Sequence, residues 1–175
     1  IWLSNEPQGL ADDNPRLNHR RALRGLDRVA GDEVLVDRYQ GRRLNSPNDV
    51  VVKSDGTVWF TDPSYGILND YEGYKAESEI GACNVYRLDP ESGALEVVVG
   101  DFVRPNGIAF SPDEKTLYVA QSDSKAALWM AYPLNPDGTV GKGRVFADVT
   151  AMAQSGKHRG SPDGMKVDAQ GNVWA

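Results

Sequence analysis

Residues 45–62 read NSPNDVVVKSDGTVWFTD, and this stretch decides the fold. Two apolar runs, 50–52 and 58–60, lie on either side of a polar segment that contains Asp55-Gly56. Such runs around an Asp-Gly pair are typical of a β-hairpin. The stretch therefore predicts two antiparallel strands. It also leaves a question, because five polar or turn-forming residues stand directly before the first strand.

The same pattern occurs three times along the chain. Each copy has a Pro followed by Asn or Asp, then a strand, a polar turn and a second strand with an aromatic residue. The residues after the three prolines are Asn48, Asn106 and Asp163, at intervals of 58 and 57 residues. Further strand pairs are predicted between the hairpins, over 21–39, 84–99 and 127–149.

The repeat indicates the fold class. Each period holds about four antiparallel strands, and a four-stranded repeat of this size is typical of a propeller blade. We therefore expect an all-β protein in which residues 1–175 form a single partial β-propeller domain of about three four-stranded blades. Propellers close with about 4–8 blades, so the sequence is expected to be part of a longer chain, with N-terminal and C-terminal blades missing.

Composition excludes several classes of function. The net charge is −6 and no Lys/Arg cluster offsets it, which argues against nucleic acid as a partner. Cys83 is the single cysteine, so an internal disulfide framework or a Cys-rich zinc site is excluded. No apolar run approaches the ~18 residues of a membrane span. We expect a soluble protein that binds neither nucleic acid nor membrane.

The three Pro-adjacent residues are candidate metal ligands. In a propeller the equivalent positions of successive inner strands converge at one mouth of the central channel, so Asn48, Asn106 and Asp163 should lie together. Two amide oxygens and one carboxylate suit a hard divalent cation such as Ca²⁺, and the set has no His or Cys for a closed zinc site. A single carboxylate would bind weakly, so a further acidic ligand is expected from another blade.

The same residues allow a second interpretation. Pro-Asn-Gly and Pro-Asp-Gly are good turn sequences, and Asn and Asp tolerate the left-handed backbone of a repeated bend. On this hypothesis the three positions bind nothing. The metal hypothesis is favoured because the turns inside the hairpins are already supplied by other residues, such as Asp55-Gly56.

Two other segments are expected near the same mouth. The loop 63–82 follows a second strand and is long enough to be functional, so Tyr65 is predicted to line the pocket. His158 lies shortly before Asp163. It is either a solvated loop residue or a substrate contact.

Three segments of the sequence resemble a known family. RLNSPNDVVVKSDGTVWFTDPSYGI, RPNGIAFSPDEKTLYVAQSD and SPDGMKVDAQGNVWA resemble the gluconolactonase/regucalcin-like (senescence-marker-protein) lactonases, most of all the bacterial gluconolactonase branch. The resemblance spans residues 44–175. It implies a six-bladed propeller in the full-length protein, one divalent ion at the channel mouth, and hydrolysis of sugar lactones. The sequence leaves the compartment unknown, with bacterial cytoplasm and periplasm both open. Ca²⁺ is favoured as the ion, with Zn²⁺, Mg²⁺ and Mn²⁺ as alternatives.

The resemblance also implies roles for individual residues. Asn106 and Asp163 match metal ligands of the family, and Asp163 matches its general base. Asn48 matches an Asn at the metal and substrate site, while Ser46 falls where the animal branch has a substrate-contacting Arg. A metal-binding Glu of the family would belong to a first blade that precedes this sequence. A piece without that blade can be inactive by itself.

The implied reaction is the opening of a lactone by metal-activated water, with Asp163 taking the proton. The sequence has no G-x-S-x-G elbow, so no covalent serine nucleophile is indicated. Two alternatives remain from the sequence. One is a non-catalytic propeller that binds a ligand at the same mouth, and the other is a related propeller hydrolase that acts on other esters or on phosphoesters.

Overall fold

A computed structural model describes residues 2–4, 22–27, 31–71, 73–157 and 160–175 of the chain. Within these ranges nearly all regular structure is antiparallel β-sheet. The strands in chain order are β1 Trp2–Ser4, β2 Ala22–Asp27, β3 Gly31–Val36, β4 Arg38–Tyr39, β5 Arg42–Arg43, β6 Val50–Val52, β7 Val58–Asp62, β8 Cys83–Leu88, β9 Leu95–Phe102, β10 Pro105–Phe110, β11 Thr116–Asp123, β12 Ala126–Pro133, β13 Arg144–Asp148, β14 Lys166–Val167 and β15 Val173–Trp174.

Two sheets have the four sequential antiparallel strands of a propeller blade. Their strand orders are β6-β7-β8-β9 and β10-β11-β12-β13, which confirms the predicted fold class. The described residues also form a three-stranded sheet, β1-β2-β3, and two-stranded pairs of β4 with β5 and of β14 with β15. The number of blades in a closed ring and the division into domains stay predictions.

Two short helices complete the described structure. Helix α1, Tyr65–Leu68, follows β7, and helix α2, Thr150–Gln154, follows β13. No helix within the described part of the chain is long and apolar enough to cross a membrane.

Strand β7 shows how neighbouring sheets pack together. All five of its residues are buried, because both faces of the sheet are covered. Val58 and Phe60 point to one side and pack with Leu44 and Tyr86 in one apolar cluster. Trp59 points to the other side, into the cluster shared with β10 and β11. This alternation follows from the period-2 geometry of a strand.

The interface between the two complete sheets is built around two aromatic rings. Trp59 is fully buried, and its ring meets Phe110 edge-on with centroids 5.4 Å apart. Ile108, Leu117 and Val119 belong to the same cluster. Edge-to-face pairs of this kind stabilise by about 0.5–1.5 kcal/mol beyond their buried area. The two sheets are therefore held by a continuous apolar layer.

A turn in β10–β11 makes a polar contact with the preceding sheet. Gly56, Glu114 and Gly171 occupy the same place in three hairpins, and all three have positive φ, of 87°, 53° and 86°. Glu114 is the non-glycine of the set. Its carboxylate accepts hydrogen bonds from the backbone N–H (2.8 Å) and the hydroxyl (2.5 Å) of Ser54, and these bonds offset part of the cost of a backbone conformation that favours glycine.

Candidate active site

A cavity of about 450 Å³ opens where β6 and β10 begin and where β7 and β11 end. Antiparallel neighbours run in opposite directions, so the start of one strand and the end of the next share an edge of the sheet. The lining is mainly polar. It consists of Asn48, Tyr65, Gly66, Arg104, Asn106, Ser122, Ser161, Pro162 and Asp163. The structure thus brings Asn48, Asn106, Asp163 and Tyr65 to one cavity, and their roles in binding stay predictions.

Asn106 has an unusual environment in this cavity. The residue is buried, with 8% of its surface exposed, and its side-chain Oδ1 has no hydrogen-bond partner among the described residues. Leaving a buried amide oxygen unpaired costs about 1–3 kcal/mol, so such atoms are rare in folded proteins. An oxygen in this state is suited to receive a cation or a donor from a ligand.

Asp163 is brought to the cavity by close backbone packing. A Cβ added to Gly107 would overlap the carbonyl oxygen of Asp163 and would lie 3.0 Å from the Cα of Gly164. The hydroxyl of Ser122 donates a hydrogen bond to the carbonyl of Pro162. Strands β10 and β11 therefore both hold the segment that carries Asp163, whose own side chain is exposed to solvent.

Asn48 is held by its backbone. Its N–H donates to the carbonyl of Thr61 at 2.9 Å, and the N–H of Thr61 donates to the backbone carbonyl of Asp49 at 3.0 Å. Pro47 before it is buried, whereas Asn48 itself is exposed at the cavity. The side chain is therefore available to a ligand while the backbone is fixed by the sheet.

Ser46 lies beneath the cavity and does not contribute to its lining. It is 1% exposed, and its hydroxyl donates to the carbonyl of Pro63 at 2.6 Å and accepts from the N–H of Gly66 at 2.9 Å. Its predicted contact with substrate stays a prediction. In this structure the hydroxyl positions Gly66, which does line the cavity.

Asp62 holds the start of the same segment. Its carboxylate is fully buried and accepts hydrogen bonds from the backbone N–H groups of Asn45 at 2.9 Å and Ser46 at 2.8 Å. Two charge-assisted bonds to consecutive amides fix the direction in which the chain enters β6. The polar residues before the strand are therefore in part a structural anchor.

The loop 63–82 forms one wall through its first turn. Tyr65 lines the cavity, and its buried hydroxyl has no hydrogen-bond partner among the described residues. Tyr71 and Tyr74 are 91% and 39% exposed and lie outside the lining. Gly73 packs directly on the carbonyl of Gly66, which keeps the turn compact.

One side chain outside the loop fastens both of its ends. The amide nitrogen of Asn45 donates to the carbonyls of Asp62 at 3.1 Å and Ala82 at 2.8 Å. Its amide oxygen accepts from the hydroxyl of Ser78 at 2.6 Å. Asn45 thus closes the neck of the loop.

Arg104 is a cavity residue that the sequence interpretation missed. It is exposed, and it is the one cationic side chain among the described lining residues. The signal that could have found it is the repeated triplet, because Arg104 and Ser161 both stand directly before the proline of their repeat and both line the cavity.

The prediction for His158 stays a prediction. His158 lies outside the described residues. Among the residues that the structure describes, no group of three or more His, Cys, Asp and Glu side chains comes together as a metal site.

Consecutive four-stranded sheets with a polar cavity at one edge define a protein of the β-propeller class. The chain belongs to the SMP-30/gluconolactonase/LRE-like region family, whose model matches residues 17–175. This match confirms the resemblance seen in the three repeated motifs.

Relatives and solved structures agree with this assignment. A gluconolactonase of Zymomonas mobilis is 38% identical over 159 residues, which cover 89% of this chain and 43% of the relative. The structure of a gluconolactonase from Xanthomonas campestris matches with a TM-score of 0.78 and 41% identity over 89% of this chain and 48% of that one. A calcium-binding protein, regucalcin from Agrobacterium tumefaciens, matches with a TM-score of 0.62 and 28% identity over 89% of this chain and 46% of that one. The chain spans a little under half the length of these three proteins.

Proposed function

We propose that the protein containing this chain hydrolyses sugar lactones, and that a divalent cation is held at the cavity by Asn48, Asn106 and Asp163. The observation that carries the proposal is the buried, unpaired Oδ1 of Asn106 in a cavity that Asp163 also lines. Family membership supports the substrate class, since a sequence relative and a similar solved structure are both gluconolactonases.

The donor set fits a hard cation. Two amide oxygens and a carboxylate are the ligand types that Ca²⁺ accepts, and Ca²⁺ needs six to eight oxygens. The remaining ligands would be water, substrate or residues outside the described part of the chain. A similar structure is that of a calcium-binding protein, which makes Ca²⁺ the first ion to test. When bound, the cation would supply polarisation of the lactone carbonyl and would make a nearby water more acidic.

The chain's own residues account for the rest of the reaction. Asp163 is exposed in the cavity, so its carboxylate can accept a proton from the attacking water as the water oxygen bonds to the carbonyl carbon. The same proton can then pass to the ring oxygen when the ring C–O bond breaks. The product is a hydroxy acid, whose new carboxylate carries a negative charge.

Two side chains can stabilise the charge and orientation of the substrate. Arg104 is a guanidinium at the cavity, so it favours the oxyanion and the carboxylate that form during ring opening. The buried hydroxyl of Tyr65 can donate to a sugar oxygen, since no described residue uses it. Both contributions apply to a hydroxylated lactone in a polar cavity.

The full-length protein tests the proposal directly. Acid release from glucono-δ-lactone, followed with a pH indicator, should exceed spontaneous hydrolysis and should fall to the spontaneous rate with excess chelator. Asp163→Asn should lower the rate by roughly 10²–10⁴-fold, because it removes both the general base and the one carboxylate of the donor set.

Asp113→Asn is the matched control. Asp113 is an exposed aspartate of the β10–β11 turn and does not line the cavity, so its replacement should leave the rate unchanged. Full activity of Asp163→Asn, or full activity in chelator, would refute the proposal.

A further inference from the structure

Asn106 sits in a β-bulge. Strands β10 and β11 pair regularly from Ile108 opposite Val119 onward, and again at Pro105 opposite Gln121. Between these pairs two residues of β10, Asn106 and Gly107, face one residue of β11. Bulges re-aim side chains and interrupt the ladder of backbone hydrogen bonds. The bulge therefore decides where the amide of Asn106 points, but it also leaves backbone groups in need of partners.

The neighbouring sheet supplies those partners through two side chains. The hydroxyl of Thr61 donates to the carbonyl of Asn106 at 2.7 Å. The carboxylate of Asp49 accepts from the N–H of Ile108 at 3.0 Å. Both side chains come from the β6–β7 hairpin, so the two ends of the bulge in one sheet are held by the sheet before it.

The backbone of Asp49 also binds the Thr61 side chain. The N–H of Asp49 donates to the Thr61 hydroxyl at 3.1 Å, and the second carboxylate oxygen of Asp49 accepts from the N–H of Val50 at 2.9 Å. Thr61 is fully buried. Its hydroxyl is thus both donor and acceptor in a closed network, which fixes the rotamers of both residues.

We propose that Asp49 and Thr61 are positioning residues for Asn106, holding the bulge so that its buried Oδ1 is presented to a cation at the cavity. The inference rests on the proposed cation site. Replacing a residue that orients a metal ligand typically lowers metal affinity by 10–100-fold. Asn48, the other amide of the donor set, directly precedes Asp49, so one short segment would contribute a ligand and position another.

The experiment measures Ca²⁺ affinity by calorimetry in the full-length protein. Thr61→Val keeps the shape of the side chain and removes both hydrogen bonds of the hydroxyl, so Kd for Ca²⁺ should rise about tenfold. Thr61→Ser restores a hydroxyl and should return Kd to within about twofold of the parent value.

Thr57→Val is the matched control for a general loss of stability. Thr57 is also buried and lies directly before the same strand, where its hydroxyl binds Asp55 and Trp59 instead of the bulge. It should lower stability and leave Kd unchanged. Deuterium exchange over residues 105–110 should increase in Thr61→Val and stay at the parent level in Thr57→Val.

Asp49→Asn tests the second half of the network. An amide has one oxygen in place of two, so it cannot accept hydrogen bonds from the N–H groups of both Val50 and Ile108 unless that oxygen serves both. Deuterium exchange at the Ile108 N–H and the Kd for Ca²⁺ should therefore both rise. A parent protein that binds none of Ca²⁺, Zn²⁺, Mg²⁺ and Mn²⁺ measurably refutes the cation site and this role with it. A parent that binds a cation, together with Thr61→Val and Asp49→Asn variants that bind it equally well, refutes the network alone.

Discussion

Gly107 is the residue on which the cavity depends most directly. It is one of the two bulged residues of β10, and it lies against the backbone of Asp163 and Gly164. Any side chain here would have to displace backbone, because the atom it meets first is a carbonyl oxygen. The Pro-Asn-Gly sequence is therefore not only a turn preference, since its glycine permits the contact between successive repeats.

Gly107→Ala should separate the segments that carry Asn106 and Asp163. We expect a loss of about 1–3 kcal/mol in the free energy of unfolding, as for other overpacked sites, and weaker binding of Ca²⁺. Urea unfolding and calorimetry measure the two effects. Gly164→Ala is the control, because a Cβ added there meets nothing within 4 Å, and it should leave both quantities near the parent values. Equal effects of the two variants would contradict this explanation.

At the scale of elements, the turns of neighbouring hairpins contact each other through polar side chains. The β10–β11 turn binds Ser54 of the β6–β7 turn through Glu114. Lys53 lies 3.4 Å from the same carboxylate. The hydrogen bonds from Ser54, together with the charge of Lys53, hold the pKa of Glu114 below its usual value of 4.5.

This lowered pKa gives a pH dependence with a definite sign. Folding favours the ionised form of Glu114, so its contribution to stability is present above about pH 4.5 and is lost as pH falls through the lower folded-state pKa. Glu114→Gln should therefore be less stable than the parent at pH 7, by up to about 1 kcal/mol for a partly exposed group. The difference should shrink below pH 4.5.

Urea unfolding of both proteins between pH 7 and pH 3.5 measures this difference. Glu91→Gln, at an exposed glutamate of the β8–β9 turn, is the control and should leave stability at pH 7 unchanged. A difference between parent and Glu114→Gln that grows toward low pH would contradict the assignment.

At the scale of the whole molecule, the sheets are joined by alternating apolar layers and by the residues around one cavity. Trp59 and Phe110 belong to the layer between the two complete sheets, while Ala120 and Met165 belong to the next layer along the chain. The three proposed cation ligands come from three successive repeats. A bound cation would therefore link segments that are far apart in the sequence.

Cation binding should raise the stability of the whole protein. A ligand that binds only the folded state stabilises it by about 2.7 kcal/mol at a free concentration 100 times its Kd. Thermal unfolding of the full-length protein should shift to higher temperature as Ca²⁺ is added, and chelator should reverse the shift. Asp163→Asn should abolish the shift and Asp113→Asn should retain it. A Ca²⁺-dependent shift that survives Asp163→Asn would mean that the cation binds elsewhere.

The fold could be predicted from the sequence because the same local signals recur in every repeat. These signals are short-range: Pro-Asn or Pro-Asp, an apolar run, a polar turn and a strand with an aromatic residue. They recur at nearly equal intervals, which shows that the chain is built from repeats. Three of the residues that meet at the cavity could be predicted for the same reason. Asn48, Asn106 and Asp163 have equivalent positions, and equivalent positions of stacked sheets lie on the same side.

Other features could not be predicted because they depend on pairing between strands. The bulge at Asn106 is a shift of register between β10 and β11. Gly107 is a local sign of a bulge, but the pairing with β11 decides which residues it contains. The roles of Asp49 and Ser46 depend on atoms that the fold brings near from other segments, Ile108 in one case and Gly66 in the other. Arg104 carries no sequence signal for the cavity except its place before Pro105.

The way in which Asn45 closes the loop 63–82 has a consequence for protein engineering. The neck is fastened by an amide that lies outside the loop and binds backbone carbonyls at both ends, so two of its contacts do not depend on which side chains the loop carries. A loop of different sequence grafted between Asp62 and Ala82 should therefore keep these two contacts. The first turn of the new loop would then replace Tyr65 and Gly66 in the cavity lining, while the lining residues from the strands stay in place.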